Sequence, residues 1–202
     1  MGLAVLSVLL SQTQQLHSSV EIGSISEVRG NAQVLRDKAY GVELQFNIQQ
    51  MDDVRTEAGR VAITFEDDST VKLTEHSKLV IDEYIYDPDP SKSKMALKFA
   101  SGTARFITGK FNNKSNIAIR TPTANIAIRG TDFTCTVDEL GRSLVILLPD
   151  ENGISSGEII VATAMGSVTL NKPYQATTVS VFENNPTKPV TLDISLDLID
   201  NM

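Results

Sequence analysis

The sequence predicts an all-β protein: a solenoid-like or sandwich-like stack of short strands with a β-rich C-terminal extension. Two observations predict it. Short runs rich in Val, Ile, Thr and Phe alternate apolar with polar residues, and Gly, Asp, Asn and Ser punctuate them at close intervals. One segment also repeats: Asn116-Ile117-Ala118-Ile119-Arg120-Thr121 returns nine residues later as Asn125-Ile126-Ala127-Ile128-Arg129-Gly130. Helical periodicity is weak throughout. With 202 residues, 41% hydrophobic and 21% charged, the chain can bury one sizeable core and carry an appendage. The expected division is an apolar N-terminal segment over 1–19, a β domain over 20–149, and a β-rich extension over 150–202 ending in a docking strand.

The first segment, Gly2-Leu3-Ala4-Val5-Leu6-Ser7-Val8-Leu9-Leu10, is too short to span a bilayer. Its length suits the apolar region of a signal peptide, but no Lys or Arg precedes Arg29, and Ser11-Gln12-Thr13 is a mediocre cleavage site. The expectation is a retained apolar arm that docks on a partner or on the chain's own core. Removal on export is the open alternative.

The alternation becomes clear at Val61-Ala62-Ile63-Thr64-Phe65. It breaks at the acidic turn Glu66-Asp67-Asp68-Ser69 and resumes at Val71-Lys72-Leu73, a hairpin pattern. Leu79-Val80-Ile81, Leu97-Lys98-Phe99, Ala104-Arg105-Phe106 and Leu144-Val145-Ile146-Leu147 read as further short strands. Prolines and charges make 84–94 a surface loop. In the repeat, each copy puts two Ile on one face and Ala and Arg on the other. The nine-residue step fits solenoid coils, which would stack Arg beside Arg, or a plain hairpin of two similar strands.

A boundary falls at Leu148-Pro149-Asp150-Glu151-Asn152-Gly153. Beyond it, Glu158–Thr163 and Ser167–Leu170 read as strands about a turn at Ala164-Met165-Gly166, and Thr177–Phe182 as another. After the linker Asn184–Pro189 the tail alternates through Leu192, Ile194, Leu196 and Leu198. These four form a candidate interface that pairs with a sheet edge, in another subunit or in the chain's own core.

Composition narrows the partners. Lys and Arg total 18 against 25 Asp and Glu, a formal charge of −7. That balance disfavours nucleic acid, where affinity comes from cations neutralising phosphates, and adhesion to an anionic membrane. The single Cys135 lies in the alternation Phe133-Cys135-Val137 and reads as a small buried hydrophobe. Only His17 and His76 are present, too few for a catalytic zinc or a Cys-His pair. The paired acids Asp52-Asp53 and Asp67-Asp68 would bind calcium only if they converged; separate turn aspartates are the simpler reading. No phosphate-loop, nucleophile-elbow or dinucleotide motif occurs, and aromatics are 5% with no Trp, poor for stacking sugars. The sequence therefore points to no enzyme, catalytic residue, cofactor or metal.

Several segments together resemble the FecR family, from about Val20 to Leu148. Gly30-Asn31-Ala32-Gln33-Val34 looks like its opening GxVxV strand. Met51-Asp52-Asp53-Val54-Arg55-Thr56 resembles GDxVxT, read with Asp52 at the usual Gly. Phe65–Leu73 is similar to FxDGSxVxL with Asp68 replacing Gly, and Ala100–Phe106 to xxGxxRF. The most specific segment, Arg120–Phe133, resembles TPxAxxxVRGTxF. In it, Pro122 sets a corner by holding Thr121 extended, and Ala124 is small where strands approach. Gly130 allows a backbone shape or approach that a Cβ blocks. Arg129 is suited to tie carbonyls or pair Asp132 or Asp53, the hydroxyls of Thr121 and Thr131 to cap turn amides, and Phe133 closes the motif.

The resemblance implies a rigid β platform that acts by binding. Signalling members of the family add a cytoplasmic helical segment that holds a sigma factor and a transmembrane helix; neither pattern is visible in this sequence. Stand-alone relatives encoded by tailed phages of marine bacteria look like virion components. The expectation is thus a structural, protein–protein interaction module in a homo- or hetero-oligomeric assembly such as a virion. The alternative is an exported, periplasmic or extracellular, sensory or ligand-binding domain. No nucleic-acid partner and no membrane span are expected.

Overall fold

Alternation becomes burial in the computed structural model, which describes residues 20–89, 91–110, 116–181 and 185–194. In chain order the strands are β1 (Glu21–Arg29), β2 (Ala32–Leu35), β3 (Ala39–Gly41), β4 (Asn47–Gln49), β5 (Asp53–Thr56) and β6 (Arg60–Phe65). They continue with β7 (Thr70–Leu73), β8 (Lys78–Ile85), β9 (Lys94–Ile107), β10 (Asn116–Arg120), β11 (Asn125–Arg129) and β12 (Asp132–Val137). The last are β13 (Ser143–Leu147), β14 (Glu158–Thr163), β15 (Gly166–Leu170), β16 (Gln175–Val179) and β17 (Val190–Thr191). Among the described residues there is no helix, and so none long and apolar enough to cross a membrane.

The strands form one open sheet folded into two layers. The first layer runs β4-β1-β6-β7-β9-β12-β13-β16-β17 and is antiparallel throughout. The second runs β3-β2-β5-β8-β9-β10-β11-β14-β15 and is antiparallel except at β9–β10. Strand β9 belongs to both. Its residues Lys94–Ser101 pair with β8, and from Gly102 onward it pairs with β12. The sequence patterns suggest two strands, Leu97–Phe99 and Ala104–Phe106; the structure makes one long strand with a bend at Gly102, where φ is +91°. Strand β8 likewise continues through Tyr84 and Ile85, so the connecting loop begins at Tyr86.

Between the layers lies one continuous apolar core. Phe65 of β6 stacks on Tyr84 of β8, with ring centroids 5.3 Å apart and planes at 18°. Phe106 of β9 stacks on Phe133 of β12 at 5.0 Å. Phe99 and Phe133 are fully buried. Fully burying such a side chain contributes about 1.5–3 kcal/mol, so the apolar core is a main source of the fold's stability.

This topology is sandwich-like and overturns the solenoid alternative. Solenoid coils stack their strands in parallel, whereas here β9–β10 is the single parallel pairing among the described strands. The nine-residue repeat is a hairpin: β10 and β11 pair antiparallel, with Ile117 opposite Ile128 and Ile119 opposite Ile126. Antiparallel pairing reverses the second copy, so Arg120 faces Asn125 and no Arg column forms. Strands beyond residue 150 extend both layers, β14 pairing with β11 and β16 with β13. In the tail, Val190 and Thr191 pair with β16, and Leu192 N donates to Tyr174 O at 2.9 Å. Leu192 and Ile194 are half-buried; Leu196 and Leu198, like the N-terminal segment 1–19, lie outside the described residues.

A Cβ at Gly102 would lie 2.5 Å from Ser77 Cα, and the left-handed φ is itself costly for any other residue. Gly102→Ala is expected to destabilise the protein by about 2 kcal/mol or more, read as a lower urea midpoint. An unchanged midpoint would show that β9 does not need its bend.

Candidate functional site

The motif residues occupy the two ends of the hairpin β10–β11. At the tip, Thr121 N donates to Ala124 O at 2.9 Å, and Thr121 Oγ1 accepts from Ala124 N at 2.9 Å. Thr123 Oγ1 lies 2.7 Å from Ser143 Oγ, which also reaches Thr121 Oγ1 at 2.7 Å. Three hydroxyls thus tie the tip of the second layer to β13 of the first, over a buried Ala124. Pro122 stands beside Gly141 in the next turn.

At the other end the chain passes from β11 to β12 through Gly130, whose φ is +56°. A Cβ there would meet nothing within 4 Å, so the conformation and not crowding requires glycine. Thr131 behaves differently from expectation. Its backbone N and O bond Thr108, at 3.1 Å and 2.9 Å to the Thr108 hydroxyl, while its own Oγ1 is buried with no hydrogen-bond partner among the described residues. Arg129 also departs from expectation. It is exposed and pairs Glu158 at 3.2 Å across β11–β14, because its cross-strand partner in the register is Glu158. Asp132 is instead held by Arg105, through Nε at 2.9 Å and Nη2 at 2.7 Å. Asp53 takes Arg55 and Lys78.

The paired acids are each committed. Asp52 is fully buried and receives Arg36 in a fork, at 2.6 Å and 2.7 Å, with Gln49 N at 2.8 Å. The Arg36 guanidinium is raised above its ordinary pKa, chiefly by that hydrogen bond. The left-handed φ of this element, +70°, falls on Met51. Glycine's place in the motif is therefore Met51 and not Asp52, which stands at the motif's Asp. In the acidic turn, Asp68 does take the left-handed shape, with φ +65°. Its carboxylate pairs Lys110 at 2.8 Å. Asp67 is fully buried, accepting from Ser69 Oγ and, at 3.0 Å, from the Tyr84 hydroxyl. Burial, with the Asp67 charge beside it, drives the Tyr84 phenol far above its usual pKa. Among the described residues no three His, Cys, Asp or Glu side chains gather as a metal would need.

What remains is a surface that sequence reading missed. The outward face of the first layer carries a depression of about 150 Å³, bordered by Glu27, Arg29, Arg60, Lys72, Thr103 and Arg105 with Ala62 at its floor. Register assembles it. Glu27 lies opposite Ala62, Ala62 opposite Lys72, and Lys72 opposite Arg105; one row along, Arg29 lies opposite Arg60. Ala62 points outward yet is only 4% exposed, because the long side chains around it stand over its methyl. Arg29 pairs Glu27 at 3.1 Å and Arg60 reaches Glu75 at 3.8 Å. The exposed Lys72 meets no acid among the described residues. These cations are scattered over 29–105, each in the solvent-facing slot of its strand, and only strand pairing unites them. A cation inside an apolar alternation, as in Val71-Lys72-Leu73, is the sole local sign.

Known proteins fit this picture. Residues 52–150 match the family described as FecR protein. Two structures of a candidate anti-sigma factor from Parabacteroides distasonis superpose with TM-scores of 0.54 and 0.55 at 14% identity. Each superposition covers 70% of this chain and 60% of that protein's. At this identity the likeness is one of fold. No curated protein matches the chain.

Two outcomes follow. Burial pushes the Cys135 thiol up to about 12, so it is expected to resist a thiol reagent at neutral pH and to react fully in denaturant; rapid labelling of the native protein would contradict its place in the core. Arg36→Met leaves Asp52 as an uncompensated buried charge and is expected to cost about 3 kcal/mol in urea unfolding. A cost near zero would mean that water replaces the guanidinium.

Proposed function

We propose that the chain is a regulatory or sensory domain of the FecR type, which works by binding a protein partner and performs no catalysis. The observation that carries this reading is the match of residues 52–150 to the FecR family on a two-layer fold like that of a candidate anti-sigma factor. The site chemistry agrees with it. The acids of the motif and its turns are held by Arg, Lys or hydroxyl groups, which leaves them poor bases or metal ligands, and the residues 121–133 brace corners. A rigid face presenting fixed side chains is what recognition needs, since ordering costs have been met on folding. A periplasmic or extracellular location goes with this reading. The virion role implied by resemblance to phage-encoded relatives receives no support from the fold or from the proteins compared above.

Transcript profiling of the host organism with the gene deleted, then complemented, tests the proposal. A small set of operons is expected to change on deletion and return on complementation. Transcript levels that do not move, or that fail to return, would overturn the regulatory reading.

A further inference from the structure

We infer that the depression over Ala62 is the anchor point of the partner: it receives an Asp or Glu side chain from an extended acidic segment of a partner protein laid across the outward face of the first layer. This rests on the reading of the chain as a protein-interaction domain and names the surface and the partner's chemistry.

Three observations carry it. The first is an electrostatic conflict. Lys72 stands directly opposite Arg105, and Arg29 directly opposite Arg60, in adjacent antiparallel strands. Like charges in such pairs are destabilising, and the chain carries more acids than bases from which compensation could come. The Arg29–Arg60 pair sits one row along from Lys72–Arg105, and a visiting carboxylate at Lys72 relieves the positive charge that the local acids leave over. Glu27, Glu75 and Asp132 balance part of it, and Lys72 has no acid among the described residues to balance it. The second is shape. A methyl at the centre of four long cationic side chains leaves a hollow between their ends, where a short acidic side chain reaches more than one of them at once. The third is size. Some 150 Å³ holds one acidic side chain, and is well below the roughly 300–1,000 Å³ of pockets that enclose whole ligands. Beside the hollow the outward face continues through threonines of the next strand. Thr134 lies opposite Arg105, and Thr136 opposite Thr103 with their hydroxyls 3.0 Å apart. An open, shallow hollow beside a row of strands suits one side chain of an extended segment more than an enclosed compact ligand.

The test uses the full chain and a fluorescein-labelled peptide of alternating Asp and Val, followed by fluorescence anisotropy. Binding is expected at low salt and to fall as salt rises. It is expected to weaken about tenfold or more in Lys72→Glu, where a favourable charge pair becomes a repulsive one. Ala62→Leu fills the hollow from outside the core and is expected to weaken binding comparably, with its thermal midpoint as the folding control. Should Ala62→Leu unfold, Lys72→Ala and Lys72→Glu carry the test. No binding, or binding indifferent to these changes, would overturn the assignment. Succinate competing as strongly as the peptide would also overturn it, in favour of a small-anion site. If the peptide fails while deletion of the gene still alters transcripts, this surface is wrong and the regulatory reading stands; if the transcripts alone fail to move, the reverse holds.

Discussion

Strand β9 hydrogen-bonds in both layers, and the two-layer arrangement depends on its doing so. A single strand that leaves one sheet and enters another must bend without losing its ladder. Ser101 still pairs with Lys78 in the second layer, and Gly102 already pairs with Val137 in the first. The change is made at one residue, and its left-handed φ is one that a side chain would resist. From that bend the rest follows. Phe99 and Phe106, on either side of it, turn inward at 6.0 Å edge to face, and Phe106 then meets Phe133. The same strand carries Arg105 outward, between two inward side chains, to the face where the cations collect.

Polar ties hold what the bend arranges. Each end of the fold has a buried acid or a group of hydroxyls joining separate strands: Asp67 with Tyr84 and Ser69, Asp52 with Arg36, Thr121 and Thr123 with Ser143. Inside a low-dielectric interior such groups are strong when saturated and costly when stripped of a partner. They fix how the hairpins sit on one another more than they add net stability. The binding role proposed above calls for such ties, since recognition by a rigid face needs its side chains held in place beforehand.

Much of this was legible in the sequence, and the residues show why the rest was not. Period-two alternation located β6, β7, β13 and β14 within a residue or two, because each has one face in the core. It mistook β9 for two strands, since a glycine within a strand reads as a break when nothing local says that both halves stay paired. The Ile repeat left coil and hairpin open because a side-chain pattern records facing, not strand direction; only the pairing of Ile117 with Ile128 decides it. The motif residues were visible as corner-makers, yet Arg129 and Asp132 were matched with the wrong partners. An Arg's reach covers several acids, and the register across β11–β14 chose Glu158. The Ala62 hollow was illegible for a deeper reason: its members come from four strands, and no single stretch of chain holds more than two of them.

An acidic protein gains solubility from its net charge, and scattering its cations among the acids would be the most stable arrangement. Here the sheet does the opposite at one place. It sets Arg against Arg and Lys against Arg in neighbouring strands; the arginines there meet Glu27, Glu75 and Asp132, but Lys72 meets no acid among the described residues, whereas Lys110, Lys94 and Lys98 elsewhere each meet one within 2.8 Å. The contrast matters because the fold had acids to spend. Substituting Thr103 or Ala62 by Glu would place a carboxylate between the cations without touching the core, since both face outward. Where a chain forgoes so available a stabilisation, local consistency has been yielded to something the isolated protein does not contain. A carboxylate arriving from outside supplies the missing charge only when bound. The repulsion between Lys72 and Arg105 across β7–β9 is present in the folded chain alone, and its relief on association becomes a share of the binding free energy.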